Sequence, residues 1–213
     1  MHGLYLARHA ETVFNRAAVM QGNHAHTPLT RTGIAQAEAM GAALAAHFGK
    51  SSHDVRLIAS PTGRTLQTMT IIADHLGRDY FDIETDARLV EIGIGQWEGR
   101  RYADIIADVG EIVCRTRGIF IQRPPEGEWY PDMAKRLADW HAAQDFTRPT
   151  VVVSHGLTAR VLRGLLVGGE PCEPGCVPIA SEVPQGTIMR IIGAREEMLL
   201  EGTGRSGAGR RAF

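Results

Sequence analysis

Val151-Val152-Val153-Ser154-His155-Gly156 reads as a strand that stops at a polar pair. Three consecutive β-branched residues suit a strand covered on both faces. A helical pattern then runs to Leu166. The same sequence of signals occurs twice upstream. Leu4-Tyr5-Leu6-Ala7 is a short apolar run that leads straight into Arg8-His9. After a polar segment from Asn15 to Thr27, Thr30 offers a helix N-cap. Ile34, Ala37, Met40, Gly41, Leu44 and Phe48 then repeat at helical spacing, with Gly49 as a stop. Val55 to Ala59 is a second strand ending at Ser60-Pro61, and a helix from about Gly63 to Leu76 follows.

The remaining segments fit around these three units. Residues 80–100 read as irregular and carry Glu91, residues 102–109 as helical, and 114–127, with Pro124, Pro125 and Gly127, as loop. Residues 131–143 form an amphipathic helix with Met133, Leu137 and Trp140 inward, and Thr187 to Ile192 is the last core strand. Strands alternating with helices predict an α/β three-layer sandwich, a mostly parallel central sheet with helices on both faces. Residues 1–201 are expected to form one domain with a small lid-like insertion at about 100–130, and 202–213 a flexible Gly/Arg-rich tail.

Composition narrows the function. The chain has 213 residues, 44% of them hydrophobic, and a formal net charge of −1. Such a balance disfavours a nucleic-acid binder, which presents a basic face. The absence of a signal region or a long apolar stretch predicts a cytoplasmic protein with no membrane partner. Cys114, Cys172 and Cys176 are an odd, sparse set, expected to be reduced; the C-x-x-x-C pair lacks further zinc ligands. Gly202-x-Gly204-x-x-Gly207 matches a dinucleotide fingerprint but has too little chain after it to form the required helix. No phosphate-binding G-x-x-x-x-G-K-[ST] loop is present, and Val153-Ser154-His155 is not a nucleophile elbow.

Three strand ends carry chemistry: Arg8-His9, Ser60 through Arg64, and Ser154-His155. Open α/β sheets bind ligands outside the carboxyl ends of their strands. If these strands are neighbours, one pocket receives two arginines, two histidines and helix N-terminal amides. Guanidinium forks and helix N-termini favour a tetrahedral anion. A neutral imidazole is a competent nucleophile at neutral pH, and a carboxylic acid can protonate a leaving alkoxide. His24 and His26 read as solvated loop residues, not a metal pair.

Arg8-His9-Ala10-Glu11-Thr12 with Asn15 resembles the signature of the histidine phosphatase superfamily, in the branch that includes the phosphoglycerate mutases. Gln21-Gly22 with Pro28-Leu29-Thr30 and Gly33, then Ser60 to Thr68, Leu89 to Glu91 with Gly95 to Gly99, and Ser154-His155-Gly156 are similar to its later motifs, in order, from residue 4 to about 192. The resemblance implies that His9 is the nucleophile, that Arg8, Arg64 and His155 hold the phosphoryl oxygens, and that Asn15 adds a hydrogen bond. Gln21 and Gly22 join the phosphate-binding set, and Glu91 is the proton donor, with Glu84, Asp86 and Glu98 as rivals. It implies no cofactor and no metal. Ala10, His26 and Trp129 depart from the family's usual glycine, acidic and small hydroxyl residues, a difference bearing on specificity.

The mutases follow the acid-loop glutamate with residues that bind a carboxylate; here Ile92-Gly93-Ile94 stands instead, with Arg115, Arg117 and Arg123 as candidate substitutes. A phosphatase acting on a small phosphorylated metabolite is therefore expected. Ile92, Ile94, Trp97 and Trp129 suggest an apolar leaving group. The alternatives are a mutase-type phosphoryl transfer and, of another class, a non-catalytic phosphate-binding module. A homodimer is compatible with an edge strand.

Overall fold

Strand alternation divides the core. In β1 (Leu4–Arg8), Leu4 and Leu6 enter one hydrophobic layer and Tyr5 enters the other with Ala7. The chain continues through α1 (Val13–Ala17), α2 (Arg31–Phe48), β2 (Arg56–Ala59), α3 (Gly63–His75) and β3 (Ile83–Thr85). Next come α4 (Tyr102–Val109), β4 (Val113–Cys114), β5 (Ile119–Phe120), α5 (Tyr130–Ala142), β6 (Thr150–Ser154) and α6 (Gly156–Val167). The last elements are β7 (Pro171–Cys172), β8 (Val177–Pro178), β9 (Ile188–Ile192) and β10 (Arg195–Leu200). This computed structural model describes residues 3–169, 171–172 and 176–204.

Six strands form the central sheet in the order β10-β9-β1-β6-β2-β3. The pairs β1·β6, β6·β2 and β2·β3 are parallel, while β9 pairs antiparallel with both β1 and β10. Met40 and Leu44 of α2 and Met69 and Ile72 of α3 pack on the face shared by Val151 and Val153. Leu137 and Trp140 of α5 and Val161 and Leu162 of α6 cover the opposite face with Val152. Helices thus cover both faces, as the alternating sequence predicts.

Several elements differ from the sequence reading. The polar segment after His9 contains the one-turn α1, held by a reciprocal cap between Thr12 and Asn15. The expected loop at 114–127 begins with the β4–β5 hairpin, and the irregular 80–100 segment contains β3. The sheet extends past Ile192 into β10, a charged edge strand whose Arg195-Glu196-Glu197 start hides it from an apolar pattern. Ile34, counted on the apolar face of α2, is exposed. The tail begins pinned: Gly202 N–H donates to Thr187 Oγ1 (3.0 Å) and Gly204 N–H to the Gln185 carbonyl (3.2 Å). Residues 205–213, including Gly207 of the fingerprint-like run, lie outside those described, as does the Cys172 side chain. Among the described residues, no helix is long and apolar enough to cross a membrane.

Candidate active site

β1 and β6 are neighbours whose connections diverge. The chain leaves β1 through α2 on one face and β6 through α6 on the other. A crevice opens between the carboxyl ends of such a pair. His9 follows β1, His155 follows β6, and Arg64 lies in the first turn of α3, after the adjacent β2. The His9 N–H donates to the Ser154 carbonyl (2.9 Å) and the Ser60 N–H to the Val153 carbonyl (3.1 Å), which aligns the three strand ends.

The hydrogen bonds assign the imidazole tautomers. His9 Nδ1 lies 2.7 Å from the Ala10 carbonyl oxygen, which can only accept. Nδ1 therefore carries the proton, and Nε2 retains its lone pair. His155 Nδ1 accepts from Arg64 Nε (3.2 Å), so its Nε2–H donates to Ser60 Oγ (2.8 Å). The two rings lie with centroids 5.3 Å apart. Burial first, then the Arg64 charge, pushes both histidines well below the usual imidazole pKa. Both are neutral at pH 7, and His9 presents an unprotonated nitrogen.

Arg64 is almost wholly buried yet remains a cation; burial pushes its pKa down to about 10. Its Nη2 donates to the Gly22 carbonyl and its Nη1 to the His24 carbonyl, each at 2.7 Å. Gly22 has φ +49°, and a Cβ there would stand 2.5 Å from Ile94 Cγ1, so glycine is required to present this carbonyl. Arg8 donates from Nη1 to the Val183 carbonyl (2.6 Å), and its guanidinium packs against Gly156. Asn15 and Gln21 turn their amide oxygens inward. Thr12 Oγ1 lies 2.9 Å from both oxygens, and Thr27 Oγ1 donates to Gln21 Oε1 at 2.9 Å. Their NH2 groups remain available as donors, and both residues line the cleft.

Glu91 sits against the N-terminus of α6. Its carboxylate accepts from the N–H groups of Leu157 (3.1 Å) and Thr158 (3.0 Å) and from Thr158 Oγ1 (3.1 Å). It lines the same cleft as His9, Arg8 and Arg64. The rival carboxylates are engaged elsewhere: Glu84 with Arg56, Asp86 with Arg88 and Glu98 with His24. Every proposed site residue except His155 is at the cleft wall. His155 lies directly behind it, fully buried between Arg64 and Ser60.

The outer cleft corrects some specificity expectations. Ile92 and Ile94 line it, as do Tyr102 of α4, Val113 of β4 and Phe120 of β5. Trp97 is instead buried in the core near Phe120, and Trp129 precedes α5 and packs on Tyr130. Arg115 pairs with Glu111, and Arg123 bonds the Gly127 carbonyl; neither they nor Arg117 line the cleft. Arg160 and Glu182 do, and the sequence reading missed both, along with Ser60 as the partner of His155. Arg160 lies on the apolar-patterned α6 and Glu182 in a segment without regular structure, so neither carried a motif. Among the described residues, no group of three or more His, Cys, Asp or Glu is arranged to hold a metal ion.

The family model described as histidine phosphatase superfamily (branch 1) matches residues 4–198. A Yersinia pestis (strain Pestoides F) protein named "Probable phosphoglycerate mutase GpmB" is 34% identical over 176 residues, covering 78% of this chain and 74% of that one. The structure of a mycobacterial glucosyl-3-phosphoglycerate phosphatase in complex with VO3 superposes with a TM-score of 0.70 at 25% identity, covering 93% of this chain and 97% of that one. A Thermus thermophilus protein, TTHB049, shares the fold, with a TM-score of 0.62 at 22% identity over 97% of this chain and 99% of that one.

Proposed function

Because the chain belongs to the histidine phosphatase superfamily, branch 1, we propose that it hydrolyses small phosphate monoesters through a phosphohistidine on His9. The observation that carries this reading is the His9 tautomer: Nδ1–H is tied to the Ala10 carbonyl, leaving Nε2 as a neutral nucleophile in a cleft lined by Arg8 and Arg64. A phosphate dianion repels nucleophiles, and fixed cations aimed at its oxygens remove that barrier. Arg8, Arg64, the Asn15 and Gln21 amides and the Gly22 loop hold the phosphoryl group. His155 keeps Arg64 in register through the Nε–H to Nδ1 bond.

His9 Nε2 attacks phosphorus, and the bond from phosphorus to the ester oxygen breaks. The departing alkoxide takes the Glu91 proton and leaves as the alcohol. Water then attacks the phosphohistidine, Glu91 takes the water's proton, and the N–P bond breaks to release inorganic phosphate and restore His9. No step calls for a metal. With para-nitrophenyl phosphate in EDTA, the protein is expected to turn over and to carry alkali-stable phosphate on His9, both lost in His9→Ala. Turnover that disappears in EDTA and returns with one divalent ion would contradict the cycle.

A mutase reading is favoured by the 34% identity to the Yersinia protein named for that activity. The wall at the position expected to bind a carboxylate is Ile92-Gly93-Ile94, with both isoleucines buried, which supports hydrolysis instead. Isomerisation of 3-phosphoglycerate outrunning hydrolysis of every monoester would reverse this preference.

A further inference from the structure

The outer cleft carries a charge that a phosphate site does not need. Glu182 lies between β8 and β9, with its Oε1 3.6 Å from Arg8 Nη1. Its Oε2 approaches the insertion so closely that a Cβ at Gly118 would stand 2.8 Å from it. The carboxylate therefore bridges from the phosphate end of the cleft to the β4–β5 hairpin, where the leaving group must lie. It is about three-quarters buried, which weakens screening by solvent.

Arg160 is the other charge at this end, but its geometry commits it elsewhere. Its Nε donates to the Ala180 carbonyl (2.9 Å), Nη1 to the Gly118 carbonyl (2.9 Å) and Nη2 to the Arg117 carbonyl (2.8 Å). All three nitrogens brace the backbone, which fixes the guanidinium and its charge in place. The charged residues lining the cleft are Arg8, Arg64 and Arg160 against Glu91 and Glu182. A bound phosphate dianion, with Glu91 protonated for the acid step, brings this set to neutrality. A second anion on the leaving group would leave net negative charge beside Glu182.

We propose that Glu182 is a specificity-determining residue: it selects monoesters of neutral or cationic alcohols and disfavours those whose alcohol carries a second anion. The apolar surfaces of Tyr102, Val113 and Phe120 flank the same space and suit an uncharged or ring-bearing alcohol. The inference rests on the phosphatase reading only for the place where the phosphoryl group sits.

Three non-hydrolysable phosphonates test it at equilibrium: phenylphosphonate, 3-phosphonopropionate and 2-aminoethylphosphonate, titrated into the wild type, Glu182→Gln and Glu182→Asp. Glu182→Gln is expected to improve 3-phosphonopropionate binding relative to phenylphosphonate by about tenfold and to weaken 2-aminoethylphosphonate relative to it by a similar factor. Glu182→Asp, which keeps the charge, is expected to stay close to the wild type. Ratios unchanged within about twofold in a folded Glu182→Gln protein overturn the proposal. Phenyl phosphate turnover with His9 labelling is measured in parallel. Loss of that signal sinks the catalytic reading, while the phosphonate ratios still decide the role of Glu182.

Discussion

His9 and His155 sit side by side at the centre of the sheet's carboxyl edge, both neutral because burial and the Arg64 charge disfavour a second cation. Neutrality is what a nucleophilic imidazole requires, so the acid limb of kcat/KM is expected below pH 6.5; a limb at or above that value would contradict the His9 assignment. The same shift bears on stability. The unfolded chain takes up protons on these two histidines from about pH 6.5 downward, while the folded protein resists them. Their contribution to stability is therefore present above pH 6.5 and is lost as the pH falls from there toward the folded values. Calorimetry between pH 7.5 and 5 should show Tm falling on acidification, and falling less in a His9→Asn/His155→Asn protein. At this scale much of the site was legible. Arg8, His9, Arg64, His155 and Glu91 stand in local motifs, each at or just after a strand or turn. Ser60, Arg160 and Glu182 were not legible in their roles, because those roles exist only through partners 95, 42 and 174 positions away.

The β4–β5 hairpin has only two residues per strand and borrows its fixity from α6. Arg160 reaches out of that helix to hold the Arg117 and Gly118 carbonyls. Arg160→Met keeps most of the side-chain volume but removes these bonds. Hydrogen exchange in residues 112–121 is expected to accelerate by about tenfold or more in this variant, while β1 and β6 stay protected. KM for small monoesters should rise with the loosened wall. Equal acceleration across the whole sheet would instead mean that Arg160 supports the core. The long elements were readable because burial imprints a period on them: α2 shows its Thr30 cap and apolar repeat, and β6 its valine run. β3, β4 and β5 are too short to show a period, and β10 pairs through its backbone along a charged edge.

Across the whole molecule, the sheet separates two apolar layers that share its strands. Met40 of α2 and Leu137 of α5 are both fully buried, one on each side. Met40→Ala and Leu137→Ala are each expected to cost about 2–5 kcal/mol in urea unfolding. Having no layer in common, they should add within about 0.5 kcal/mol while unfolding stays a single transition. A first transition that involves only one layer would show that the sheet does not couple the two halves.

Local pattern by itself determined the α/β class, the main strands and helices, and most of the group of residues that meet at the cleft. Those features depend on period, capping and side-chain type, which neighbours in sequence supply. Only the tertiary structure decided the strand order that makes β1 and β6 neighbours, the His155 tautomer set by Arg64, and the opposition of Glu182 to Arg8. Each of these is a contact between distant segments. Its energy depends on distance and burial, and neither is defined until the chain has closed around its core.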